Sequence, residues 1–208
     1  MTAIIDYGVG NLFSLKSSLE KIGESAVVTS DKNLLSNADR IILPGVGAFS
    51  DAIKKFNESG LYEVLLDEIK KGKPVLGICL GMQLLFDKSF EHGEYNGTGL
   101  ISGEVRAIPN PDGKLKIPHM GWNALVFKGQ KHSLFKYVNE GECVYFVHSY
   151  CAVNCDKSTV ATAEYGSEIT AAVAEGNVMG CQFHPEKSGD TGLNILRAFC
   201  EMKEDGVC

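Results

Sequence analysis

Three residues of this chain have the side chains that nucleophilic acyl transfer requires: Cys79, His184 and Glu186. Cys79 sits in Gly77-Ile78-Cys79-Leu80-Gly81, between the continuous apolar run Pro74 to Ile78 and a helical pattern from Leu80 to Phe86. A residue at such a strand-to-helix elbow is forced into a strained turn, and flanking glycines remove the side chains that would clash there. The turn lifts the sulfur above the carboxyl ends of the strands, where open α/β sheets bind ligands. The start of the following helix directs free N–H groups at it, an environment that favours thiolate. A buried structural cysteine is the bland alternative; it leaves the paired glycines unexplained.

A thiolate nucleophile needs a proton-transfer partner. His184 lies in Gln182-Phe183-His184-Pro185-Glu186, after a buried-looking strand that Pro185 stops. Glu186 can turn back to hold one imidazole nitrogen, the orienting role of a Cys-His-acid triad. His148, in Phe146-Val147-His148-Ser149-Tyr150, is the rival base, whereas His92, His119 and His132 read as ordinary surface or core histidines. For an oxyanion, the two glycines of Pro44-Gly45-Val46-Gly47-Ala48-Phe49 let the backbone swing its N–H groups toward a ligand, with the Leu80 amide as second donor; a plain tight turn is the alternative. Weaker signals dissolve on inspection. Gly8-Val9-Gly10 has Phe13 where a dinucleotide loop needs its third glycine. His148, Cys151 and Cys155 lack a fourth ligand and paired short spacing, so no metal or organic cofactor is expected.

The elements that must position these groups change character midway. Strand patterns at Ala3–Asp6, Ala26–Thr29, Arg40–Leu43 and Pro74–Ile78 alternate with helical ones through Leu12–Ile22, Phe49–Phe56 and Leu61–Ile69. That alternation predicts a mostly parallel central sheet flanked by helices. From Glu104 onward come shorter β-rich runs, at Val105–Ile108, Ala124–Phe127, Val144–Tyr150, Val160–Tyr165 and Ile169–Ala174, which predict added antiparallel strands. Val178–Phe183 and a closing helix through Leu193, Leu196 and Phe199 are expected to return to the first sheet, giving one α/β domain over residues 1–208.

Composition bounds the possibilities. A 208-residue chain with 44% hydrophobic and 22% charged residues is an ordinary globular balance, and a chain of this size buries roughly 70% of its unfolded surface. The net charge of −6 argues against nucleic acid held through bulk charge. No apolar stretch resembles a membrane span or an export signal, so the seven cysteines read as reduced thiols of a cytoplasmic protein.

The elbow Gly77 to Gln83 and the segment Gln182 to Glu186 together resemble the paired signatures of class I glutamine amidotransferases. Pro44 to Phe49, Pro118-His119-Met120-Gly121-Trp122-Asn123 and Tyr145 to Tyr150 narrow the resemblance to the glutaminase subunits of imidazole glycerol phosphate synthases. It runs from about Ala3 to the final helix, with Ser89 to Gly99 less typical and read as an altered surface loop. The resemblance implies a flavodoxin-like α/β fold and a glutaminase. Cys79 would attack the side-chain amide of glutamine, His184 held by Glu186 would serve as general acid and base, and Val46, Gly47 and Leu80 would stabilise the oxyanion. Gln83, Ser149 and Tyr150 would hold the substrate's amino-acid end. It further implies a (β/α)8-barrel cyclase partner that receives the ammonia and makes imidazole glycerol phosphate and an aminoimidazole-carboxamide ribonucleotide in histidine biosynthesis. The rim residues Asn11, Trp122 and Lys187 are the expected docking face, and the Pro44–Gly47 loop an expected switch.

Two other amidotransferase subunits compete, those of anthranilate or aminodeoxychorismate synthase and of pyridoxal phosphate synthase. Val46 and the Pro118–Asn123 motif argue against both. A stand-alone cysteine hydrolase would explain Cys79 and His184 but not Gln83 or Glu186, and would need no partner. A non-catalytic interaction subunit would have no use for the intact triad.

Overall fold

The structure, a computed structural model, describes residues 1–203. The first half alternates as its periodicity requires: β1 (Thr2–Ile5), α1 (Leu12–Lys21), β2 (Ala26–Thr29), α2 (Lys32–Asn37), β3 (Arg40–Leu43), α3 (Phe49–Glu58), α4 (Leu61–Lys70), β4 (Val75–Ile78) and the single turn α5 (Leu80–Gln83). Thereafter strands dominate: β5 (Phe86–Ser89), β6 (Tyr95–Asn96), β7 (Ile101–Ala107), β8 (His119–Ala124), β9 (Val126–Phe127), β10 (Cys143–His148) and β11 (Tyr150–Val153). The chain closes with β12 (Thr159–Glu164), β13 (Glu168–Glu175), β14 (Val178–Cys181) and α6 (Gly189–Cys200).

The main sheet has the order β2-β1-β3-β4-β14-β13-β12-β9. From β2 to β14 its strands run parallel, and β13, β12 and β9 continue it antiparallel. Every residue of β1, β4 and β14 is buried, as expected of strands covered on both faces. β14 aligns with β4 in the register Cys181 to Ile78, so the late strand does return to the first sheet. One core layer gathers Leu15, Leu19, Ile195, Leu196 and Phe199 against it; the other gathers Phe49, Ile53, Phe56 and Leu65. A two-stranded unit, β10 with β8, and a four-stranded unit, β11-β7-β5-β6, stand beside the main sheet.

Two local expectations are corrected. The helix expected from Leu80 to Phe86 is one turn long, after which Leu84 and Leu85 bond through their carbonyls to Thr98 and Ile101 and the chain enters β5. An apolar run buried on all sides carries no periodic signal to separate helix from strand. The strand expected from Val144 to Tyr150 is broken at Ser149, where the chain leaves β8 as partner and takes up β7. Alternation of side chains reports faces, not which neighbour is paired. Helix α2 was not anticipated; Asp31 caps it, accepting from the Asn33 and Leu34 amides at 2.7 and 3.1 Å.

Candidate active site

The elbow forms because backbone packs directly on backbone. A Cβ on Gly81 would lie 1.9 Å from the Leu43 carbonyl oxygen, and one on Gly77 would lie 2.7 Å from the Gly81 oxygen. No side chain fits at either place. Cys79 sits between them with φ 54° and ψ −111°, a region non-glycine residues rarely occupy. Its amide donates to the Cys181 carbonyl at 2.8 Å, which pins the strained residue to β14.

His184 is placed by the next turn. Its amide donates to the Tyr145 carbonyl at 2.9 Å, and Ser188 Oγ donates to its carbonyl at 2.6 Å. Pro185 begins a short 3-10 turn that folds Glu186 back, so that His184 Nδ1 and Glu186 Oε1 meet at 2.8 Å. Both side chains are 3% exposed. Burial alone would lower the imidazole's pKa. Hydrogen bonds to the Cys79 and Glu186 side chains, reinforced by their charge, outweigh burial and raise it to about 9. Glu186 Oε2 is buried without a hydrogen-bond partner among the described residues.

Cys79, Leu80, His184 and Lys187 line a cleft of about 450 Å³, together with Val46, Gly47, Gln83, Ser149 and Tyr150. The structure thus gathers Cys79 and His184, the three oxyanion candidates and the three substrate candidates around one cavity, with Glu186 held against His184 outside its lining. Of the three rim residues, Lys187 lines the cleft, and Asn11 lines a small void behind it with Glu186. Trp122 stands apart on β8, 55% exposed and edge-on to Tyr145 at 5.9 Å between ring centroids.

The rival base His148 is otherwise engaged. Its Nδ1 donates to the Tyr150 carbonyl at 2.8 Å, and its Nε2 lies 3.0 Å from His119 Nδ1. Burial lowers its pKa to about 4, leaving a neutral ring fixed to the wall. The segment read as an altered surface loop is in part cleft wall. Glu91 and His92 line the cavity, Glu91 Oε2 accepts from the Phe49 amide at 2.7 Å, and His92 meets Tyr150 edge-on. Tyr7 also escaped the sequence reading: its buried hydroxyl donates to the Pro44 carbonyl at 2.8 Å, steadying the loop that carries Val46. Burial and the neighbouring Cys79 push the Tyr7 phenol well above its usual range. None of the three belongs to a local pattern; all reach the site from loops that only the fold brings near.

The arrangement has the parts that cysteine acyl transfer needs: a strained cysteine, an oriented imidazole, loop amides nearby and a cleft of mixed lining. Comparison with known proteins agrees. The family model for glutamine amidotransferase class-I matches residues 3–202. The chain is 50% identical over 203 residues to imidazole glycerol phosphate synthase subunit HisH of Caldanaerobacter subterraneus subsp. tengcongensis, covering 97% of this chain and 98% of that protein. It is 48% identical over 205 residues to the subunit of the same name from Aquifex aeolicus, covering 98% and 97%. Among solved structures, a glutamine amidotransferase superimposes with TM-score 0.74 at 20% identity over 99% of both chains. The structure of PurLQS from Thermotoga maritima gives 0.72 at 24% identity over 96% of both. These last two likenesses concern the fold. The chain belongs to the class I glutamine amidotransferase family, among the HisH subunits of imidazole glycerol phosphate synthase.

Proposed function

We propose that this chain hydrolyses glutamine at Cys79 and passes the ammonia to a cyclase partner for imidazole glycerol phosphate synthesis. The observation that carries the reading is the Cys79-His184-Glu186 constellation at the head of a cleft, in a chain of this family. The Cys79 sulfur, its proton passed to His184, attacks the side-chain amide carbon of glutamine. The oxygen left negative is held by amides of the Val46–Gly47 loop and Leu80. Collapse of that intermediate expels the amino group, which takes the proton from His184 and leaves as ammonia. A γ-glutamyl thioester remains. Water, losing a proton to His184, attacks it and releases glutamate while the sulfur recovers its proton.

The substrate's amino-acid end belongs at the Gln83, Ser149 and Tyr150 side of the cleft. Gln83 spends both amide hydrogens on protein acceptors, the Tyr150 carbonyl and Gln182 Oε1, so its Oε1 is the atom it can turn toward an ammonium group. Glu91 adds a carboxylate to the same wall. One amidotransferase domain accounts for the chain, supported by the near-complete family match. A reduced, cytoplasmic setting agrees with the unpaired cysteines among the described residues, where no helix is long and apolar enough to cross a membrane.

The partner we infer is the (β/α)8-barrel cyclase, docking on the rim marked by Asn11, Trp122 and Lys187. A direct assay tests both halves: glutamate release by the chain alone, and with that cyclase and its phosphoribulosyl aminoimidazole-carboxamide nucleotide. Strong stimulation that disappears in Cys79→Ala is the expected result. High activity unmoved by the cyclase would leave the glutaminase standing and sink the partner; no release in either setting would point to another amide substrate.

A further inference from the structure

The sulfur of Cys79 has a neighbour that the triad does not use. Gln182, fully buried and one residue beyond β14, places its side-chain Nε2 3.7 Å from Cys79 Sγ. Which end of that amide faces the sulfur is settled by a chain of contacts. The Tyr150 carbonyl can only accept, so the Gln83 amide turns its Nε2 toward it, at 3.1 Å. The second hydrogen of the same Nε2 reaches Gln182 Oε1 at 3.0 Å. Gln182 must therefore point its oxygen at Gln83 and its N–H at the sulfur. Tyr150 is itself held, because His148 Nδ1 donates to the same carbonyl at 2.8 Å. With the proton on sulfur, the thiol's acceptor is the Val147 carbonyl, 4.0 Å away.

The geometry points to Gln182 as a further catalytic residue: an N–H donor, locked in direction by Gln83 and the Tyr150 carbonyl, that stabilises negative charge on the Cys79 sulfur. A hydrogen bond to the ionised form favours that form, and one made in a fully buried site is not diluted by water. The sulfur carries charge twice in the cycle, as attacking thiolate and as the leaving group when water opens the thioester. A donor distinct from His184 serves both moments and leaves the imidazole to proton transfer. The inference deepens the glutaminase reading and rests on it for the cycle, whereas its test reads the sulfur itself and needs no glutamine.

The test is the rate at which iodoacetamide alkylates Cys79 in the purified chain, followed across pH by mass spectrometry of the Cys79 peptide. Gln182→Met keeps the length and burial of the side chain but has no N–H. Near neutral pH it should be alkylated about tenfold more slowly than the parent, the size expected for losing one hydrogen bond to a charged group. The two rates should converge at high pH, where the thiol is ionised in both. Gln83→Met, which removes the group that turns Gln182 around, should slow alkylation by a smaller factor with the same convergence. Gln182→Leu repeats the test in a second shape should the methionine variant fail to fold, and Gln83→Met stands alone should both fail. A variant rate equal to the parent's at neutral pH overturns the inference. So does slowing by one constant factor at every pH, which is what mere misplacement of the sulfur would give. Loss of glutamine hydrolysis with unchanged alkylation would likewise overturn it without touching the glutaminase reading.

Discussion

At the scale of single residues, the proposed proton transfer and a pH-dependent share of stability both rest on the His184–Glu186 contact. The pair was legible in the sequence because it is local: a proline between two groups two positions apart leaves few ways to fold. Glu186→Gln keeps the shape and removes the charge. Turnover should fall by about a hundredfold or more, since the imidazole loses both its orientation and the stabilisation of its charged form. The pH dependence of stability carries a second signature. The imidazole's pKa is raised in the fold to about 9, against about 6.5 in an unfolded chain. The stabilisation is therefore fully present below about pH 6.5 and is lost as pH rises through about 9. Thermal melts of the parent between pH 6 and 10 should show this falling limb, and Glu186→Gln should make it shallower, leaving the share that Cys79 supplies. An equally steep limb in the variant would show that other groups cause it. Contacts that sequence could not supply are the non-local ones. Tyr7, Glu91 and the Gln182–Cys79 approach join segments 37, 42 and 103 positions apart, and no spacing rule reports such pairs.

At the scale of elements, the elbow depends on glycine for room more than for flexibility. Gly81→Ala puts a carbon 1.9 Å from the Leu43 oxygen, and the obstacle is backbone, which cannot swing aside. Urea unfolding should show a loss of about 3 kcal/mol or more, the upper range for overpacking a core, and alkylation of Cys79 should change with it. Away from the site, Glu68 and Lys73 form an ion pair at 2.6 Å with both side chains 2% exposed, and Lys73 Nζ also caps the Leu35 and Ser36 carbonyls at the end of α2. Burial works against the Glu68 charge, yet hydrogen bonds from Lys71 and Lys73 hold its pKa below the usual value. Lys73→Met should cost about 3 kcal/mol in the same measurement, the low end for breaking a buried pair because Lys71 still reaches the carboxylate. A depressed carboxylate stabilises the fold above its unfolded pKa and loses that contribution as pH falls, so the variant's deficit should shrink in acid. The parallel half of the sheet was legible in the sequence because each strand is a short apolar run bounded by helical periodicity. The antiparallel half was legible only in part: no pattern marked β5, β6 or most of β8, the run Ala124–Phe127 read as one strand spans the end of β8 and all of β9, and the pairing into sheets was not legible. The break at Ser149 is the clearest case, since it turns one expected strand into two and brings Ser149 and Tyr150 to the cleft.

At the scale of the whole molecule, the cleft opens beside apolar surface that the chain leaves uncovered. Met120 is 62% exposed and shares one face of β8 with Trp122, whose ring rests against Tyr145 on the paired strand β10. Val46 and Ile117 stand partly exposed near the same end, the first in the expected oxyanion loop and the second before the cleft residue Pro118. Large apolar side chains held out of the core by a strand's alternation are the composition of a docking centre. Trp122 is the one with the most surface to lose, and a tryptophan of this kind is the usual anchor of an interface. Trp122→Ala should therefore weaken binding of the proposed cyclase partner by at least about tenfold, roughly 1.4 kcal/mol or more, measured by titration calorimetry of the two purified proteins. The fold should be unmoved, because a half-exposed ring contributes little to the core. Alkylation of Cys79 in the free chain should match the parent, because Trp122 does not line the cleft. Cyclase-stimulated glutamate release should fall at limiting cyclase and recover at saturating cyclase if the ring serves docking alone. Persistent loss at saturation would place Trp122 in the transmission of the signal as well, through Tyr145, whose carbonyl holds the His184 amide at 2.9 Å. Unchanged affinity would remove Trp122 from the interface and shift the docking centre toward Lys187 and the Val46 loop.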